Sequence, residues 1–263
     1  MTGNVDTPRL GLALGGGAVL GFSHLGVLSA FAEAGIRADY LSGTSAGAIV
    51  AALHAFDIPL DRCKELLAPL NWRRVSTLSI NSLGLLSNAS IAELLERELG
   101  GGVRIEDACT PLAIVTADIH TGEAVVLREG PLAPAVRASA AIPGIYAPVQ
   151  IGDRLLVDGG IVENVPVQPL REMGADVVVG ATLGETLDFQ PVRTLLGVLT
   201  NAFLIAVYSA TRLDIADADV VIEPDLVVHN HWDVRQRDTL IQKGLDAGRE
   251  AVPSVRRALG AVA

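Results

Sequence analysis

Residues 40–56 read YLSGTSAGAIVAALHAF: a short apolar run, the pentapeptide Gly43-Thr44-Ser45-Ala46-Gly47, and a charge-free stretch with helical spacing. G-x-S-x-G between a strand and a helix has a mechanical reason. A serine held on so sharp a turn sits in strained backbone geometry, and small residues two positions to either side avoid a clash. The turn lifts the Ser45 hydroxyl above the carboxyl edge of a sheet at the start of a helix. The pattern therefore predicts a strand at 40–42, a helix at 46–56 and a nucleophile elbow between them, flanked by Gly43 and Gly47.

Working outward, the same strand-turn-helix unit occurs once before. Residues 10–14 form an apolar run, followed by Gly15-Gly16-Gly17-Ala18 and a helical pattern over 19–34. Glycines there turn the backbone sharply and bare its N–H groups beside a helix start, which suits either a phosphate or an oxyanion. The dinucleotide fingerprint G-x-G-x-x-G fails, because the position six from Gly15 is Leu20 and the position three from Gly16 is Ala18. No Gly-Lys-Ser/Thr ending makes a P-loop either.

Further apolar runs at 112–117, 176–181 and 220–223 read as strands, several of them continuous, as strands buried on both faces require. Helices are expected at 91–99, 167–173, 192–212 and 236–259. Alternation of this kind predicts an α/β architecture, a mostly parallel sheet between helical layers. Without an internal repeat or a low-complexity linker, residues 1–263 are expected to be a single domain. Residues 75–92, free of charge and rich in serine and asparagine, are expected to be a long ordered loop.

Composition limits the function. Half of the chain is hydrophobic, mean hydropathy is +0.42, and 30 acidic against 20 basic residues give a net charge of -10. Such a chain has material for a core and excludes disorder. It also argues against nucleic acid and against electrostatic docking on an anionic membrane. Cys63 and Cys109 are too few for a disulfide framework or a thiolate zinc site, and no acidic cluster suggests a metal. The polar start MTGNVDTPR carries no signal peptide, so a cytoplasmic location is expected. Residues 194–211 lack any charge, but Asn201, Gly197, Ser209 and threonines make a poor membrane span, and a shielded core helix is expected.

A nucleophilic serine needs a base. The α/β-hydrolase order of serine, acid and histidine leaves His54, His120, His229 and His231 after the elbow, but only about 40 residues precede it, too few for the strands that fold requires. His229 and His231 read as members of a polar surface loop. The carboxylate candidate is Asp158 in LLVDGGIVENVP, delivered by a strand-like run at 154–157 onto Gly159 and Gly160. An Asp-Gly hairpin turn explains that dipeptide equally well.

Taken together, the glycine turn, the elbow and the Asp-Gly-Gly resemble the patatin-like phospholipase family. The similarity extends to LGLALGGGAVLGFSHLGVLSAFAEAGI, ASAAIPGIYAPV, DGGIVENVPV and LIQKGLDAGREAVPSVRRAL, with the core motifs between about 10 and 170. The resemblance implies a three-layer α/β/α sandwich and a serine lipid acyl hydrolase working through a Ser45-Asp158 dyad. It implies an oxyanion hole in the Gly15 to Ala18 turn, chiefly from the Gly16 and Gly17 amides, and neither metal nor cofactor. The expected partner is a fatty-acyl ester, with peripheral membrane contact through apolar surface and no nucleic acid. An acyltransferase using the same dyad, and an idle acyl-lipid-binding relative, are the competing readings. Three positions depart from the family. Ala18 replaces a glycine, at little cost if φ stays negative. Leu20 replaces a basic residue, from which a preference for less charged esters is expected. Glu163 replaces an asparagine, either near the site or facing solvent.

Overall fold

The computed structural model describes residues 7–68, 77–78, 86–184, 192–229 and 231–262. Its strands are β1 (Leu10–Leu14), β2 (Tyr40–Thr44), β3 (Thr77–Leu78), β4 (Leu86–Ser87), β5 (Leu112–Asp118), β6 (Ala124–Leu127), β7 (Val149–Ile151), β8 (Arg154–Asp158), β9 (Val177–Ala181) and β10 (Val220–Ile222). The α-helices are α1 (Phe22–Glu33), α2 (Ala46–Ala55), α3 (Leu60–Leu67), α4 (Ala89–Leu99), α5 (Leu132–Ser139), α6 (Val167–Met173), α7 (Leu195–Asp214) and α8 (Arg237–Val262).

The main sheet runs β10-β9-β1-β2-β5-β8-β7, with β6 on the remaining edge of β5. The five strands from β10 to β5 are parallel, as the continuous apolar runs predict, while β6 and β8 run antiparallel to β5. Side-chain alternation divides the core. Leu10, Leu12 and Leu14 of β1 pack with α1 and α2, whereas Ala13, one residue out of phase, packs with Val167 and Leu170 of α6 on the other face. Helices on both faces complete the three layers. On the first face α1 and α8 touch through their backbones: a Cβ on Gly26 would lie 2.0 Å from the Ile241 carbonyl.

The register of β5 positions the site. Thr44, the last residue of β2, lies opposite Val115, and Asp158, the last of β8, opposite Thr116. Since β6 holds the far edge of β5 from Ile114 to Ala117, β2 and β8 share the near edge and meet end to end. The residues leaving those two ends, Ser45 and Asp158, are brought together by consecutive positions of one strand.

Residues 75–76 and 79–85 of the expected loop lie outside the described residues, and the remainder forms the β3-β4 pair and the start of α4. The helix expected to be shielded in the core, α7, is not: Leu195 is 76% exposed, Val198 53% and Ile205 51%. Residues Leu195–Asp217 are long and apolar enough to cross a bilayer by length and composition, yet this helix lies along the domain, with Thr211 and Asp214 hydrogen-bonded to residues 164 and 165. Composition reports that a helix is apolar, and tertiary placement alone decides which of its faces is covered.

Candidate active site

Ser45 sits at φ 54° and ψ -119°, a backbone region disfavoured for a residue with a side chain, at the N-terminus of α2. Its neighbours allow the turn because they are small: a Cβ on Gly47 would fall 1.9 Å from the Leu14 carbonyl oxygen. The strained peptide is anchored by Ser139 of α5, whose hydroxyl accepts the Ser45 N–H at 2.9 Å and donates to the Val115 carbonyl at 2.6 Å.

Asp158 is fully buried. Its N–H donates to Ala141 O at 2.9 Å, and its Oδ1 accepts the Gly160 N–H at 2.9 Å. Oδ2 is buried without a hydrogen-bond partner. Burial pushes the carboxyl up to about 7, against the opposing pull of the nearby Ser45 hydroxyl and the Gly160 amide. The Ser45 hydroxyl is therefore close enough to Asp158 to favour its charged form.

The glycine turn differs from the sequence expectation in which amides are free. Gly15 N–H donates to Ala181 O at 3.0 Å, and Gly16 N–H to Asn164 Oδ1 at 3.1 Å. Among the described residues only the N–H groups of Gly17 and Ala18 in this turn remain without a partner. Ala18 has φ 52°, so the condition under which alanine would cost little is not met, and the turn carries strain that a glycine would not.

Asn164, His24 and Ser139 escaped sequence reasoning. Asn164 Nδ2 donates to Gly16 O at 3.4 Å and Thr211 Oγ1 at 2.8 Å, so one amide clamps both polar atoms of Gly16. Asp214 Oδ2 accepts the N–H groups of Asn164 and Val165 at 2.7 and 2.9 Å and holds the clamp. His24 lies buried beneath the turn with Nε2 2.8 Å from Gly15 O, which requires Nε2 to carry the proton, while Nδ1 has no partner. Desolvation lowers its pKa to about 4, so it is neutral. Within DGGIVENVPV, the asparagine was a visible signal, but its partner is 148 residues away.

Gly16, Gly17, Ala18, Ser45, Asp158 and Asn164 line one pocket together with Ile142, with Phe203, Leu204 and Val207 of α7, and with Trp232. No histidine is among its lining residues. His231 meets the turn through its backbone, accepting the Val19 N–H at 3.1 Å, and His229 Nδ1 pairs with Gln236 Oε1 at 2.8 Å. Leu20 is 2% exposed in the main core and forms no part of the pocket wall. Glu163 is half-buried outside the pocket, its pKa raised to about 7 by burial and then by the charge of Asp214.

A strained serine at a helix start, a desolvated carboxylate and two unpaired amides thus lie together in one pocket of a three-layer sandwich. The chain belongs to the patatin-like phospholipase family, whose pattern it matches over residues 12–171. An uncharacterised NTE family protein of Mycobacterium bovis is 37% identical over 194 residues, 71% of this chain and 53% of that protein. Lysophospholipase NTE1 of Cryptococcus neoformans is 31% identical over 70% of this chain and 12% of its own length. The chain thus spans about half, or much less, of the curated relatives it matches. Among solved structures, VipD from Legionella pneumophila shares the fold with a TM-score of 0.64 at 15% identity, over 95% of this chain and 67% of that one.

Proposed function

We propose that this protein hydrolyses fatty-acyl esters of lipids through Ser45 and Asp158. The observation that carries the reading is the buried, unpartnered Oδ2 of Asp158, in the same pocket as the Ser45 hydroxyl. Asp158 takes the hydroxyl proton as Oγ attacks the ester carbonyl, and the oxyanion that forms is held by the Gly17 and Ala18 amides. Collapse breaks the bond to the alcohol, whose oxygen leaves with the proton from Asp158, and the acyl group remains on Ser45. Water then attacks the acyl carbon, giving one proton to Asp158, which passes it to Ser45 Oγ as the acyl–Oγ bond breaks and the fatty acid departs. A carboxylate raised to about 7 is a far better base at neutral pH than one near 4.

The exposed apolar face of α7, beside the pocket that its other face lines, supports peripheral contact with a lipid surface. Covalent labelling by a fluorophosphonate, read by intact mass, tests the dyad. A single adduct on wild type that is lost in Ser45→Ala and Asp158→Asn is expected, and an adduct that survives Asp158→Asn rules Asp158 out as the base.

A further inference from the structure

A second cleft adjoins the first. It is lined by Ala18 and Phe22, by Ala46, Ile49 and Val50 of α2, and by Leu67 of α3. It is partly open to solvent, and no charged or polar side chain lines it. It shares Ala18 with the Ser45 pocket, and Ala46, the residue after Ser45, forms its wall.

The stereochemistry of acyl transfer assigns a ligand to it. The tetrahedral carbon carries four substituents, and three are already placed: Ser45 Oγ, the oxyanion at the Gly17 and Ala18 amides, and the departing alcohol oxygen. The last must lie where Asp158 can return its proton, and Asp158 lines the α7 pocket and not the second cleft. The acyl chain is the fourth substituent and takes the remaining direction, past Ala18 and Ala46.

Resting on the Ser45-Asp158 reading, we propose that the cleft between the glycine turn and α2 holds the acyl chain, and that the pocket beneath α7 and Trp232 holds the alcohol part of the ester. The wall from Ala46 to Val50 rises only about 6 Å along the helix, so the cleft suits a chain of medium length. Burial of each methylene there contributes to transition-state binding, so chain length registers in kcat/KM.

The test is the ratio of kcat/KM for p-nitrophenyl octanoate to that for p-nitrophenyl acetate. Ile49→Phe fills the cleft and should lower this ratio at least tenfold. Leu67→Ala enlarges the cleft and should move the optimum to longer chains. Leu204→Trp, in the other pocket, should leave the ratio within about threefold. The thermal transition of each variant establishes that it is folded, and Leu67→Ala supplies the answer should Ile49→Phe not fold. A ratio unmoved by both cleft variants but collapsed by Leu204→Trp overturns the assignment while leaving the dyad intact. Failure of wild type to react with either ester or with a fluorophosphonate overturns the dyad itself, a distinct outcome.

Discussion

The Ser139 hydroxyl accepts the Ser45 N–H at 2.9 Å while donating to Val115 O at 2.6 Å, tying the strained elbow to the strand that also aligns Asp158. Ser139→Ala leaves the Ser45 N–H buried and unpaired, at a cost of about 1–3 kcal/mol. The expected result is a melting point lowered by roughly 2–4 °C per kcal/mol and kcat reduced about tenfold with KM changed less. Calorimetry and ester kinetics on one preparation measure both. Full kcat in the variant would show that the elbow holds its shape without Ser139.

Asp158 should link activity and stability in opposite senses. Its carboxyl is pushed up to about 7, above the value of the unfolded chain. The folded protein therefore binds the proton more tightly, and stability falls as pH rises from about 4 to 7 and stays low above that. The base form appears over the same upper range, so kcat/KM should rise through an ionisation near 7. Asp158→Asn should abolish turnover yet raise stability at pH 8 by about 1–3 kcal/mol, with no gain at pH 4. Melting curves of both proteins at the two pH values measure this, and equal stability at pH 8 contradicts it.

Asn164 grips Gly16 by both its N–H and its carbonyl, so Asn164→Ala should loosen the turn that presents the two free amides. A loss of about 10- to 100-fold in kcat, with little change in KM, is the expected signature of a weakened oxyanion site. Gly16→Ala should be at least as harmful. Its Cβ would lie 2.7 Å from Asn164 Oδ1 and 3.0 Å from Ser45 Cβ. Both variants can be compared by the rate of fluorophosphonate labelling.

Which parts of this site could be read from the sequence depends on the range of the forces that made them. Gly43, Ser45 and Gly47, or Asp158 with its glycines, are constrained by their immediate backbone, so local spacing reveals them. Ser139 and Asn164 bond to residues 94 and 148 positions away, and no local pattern encodes such a pairing. The parallel strands were legible because they are buried on both faces. The antiparallel strands β6 and β7, of four and three residues and partly exposed, are too short for a run of residue types to mark them as strands. The positive φ of Ala18 was hidden for another reason: an alanine gives no sign of a conformation that glycine would advertise.

His24 should govern acid stability. Burial lowers its pKa to about 4, below that of the unfolded chain, so its contribution is intact above about 6.5 and is lost as pH falls towards 4. His24→Gln can keep a donor to Gly15 O but has no proton to gain. Its melting point should fall less than that of wild type between pH 6.5 and 4.5. Parallel curves would mean that other groups control acid unfolding.

The two faces of α7 differ in use. Phe203, Leu204 and Val207 line the Ser45 pocket, while Leu195, Val198 and Ile205 on the other face are exposed, and no charge occurs between Arg193 and Arg212. A chain of net charge -10 gains nothing from anionic headgroups, so attachment through this face must be apolar. Binding to phosphatidylcholine vesicles should therefore be insensitive to salt, because screening acts on charges and not on buried apolar area. Leu195→Asp with Val198→Asp should weaken flotation with such vesicles at least tenfold while leaving turnover of a short soluble ester unchanged, since neither residue lines the pocket. Leu204→Asp, by contrast, should impair turnover directly, because it puts a charge into the wall beside Asp158. Flotation that persists in the double variant, or that fades as salt is raised, would remove α7 as the site of contact.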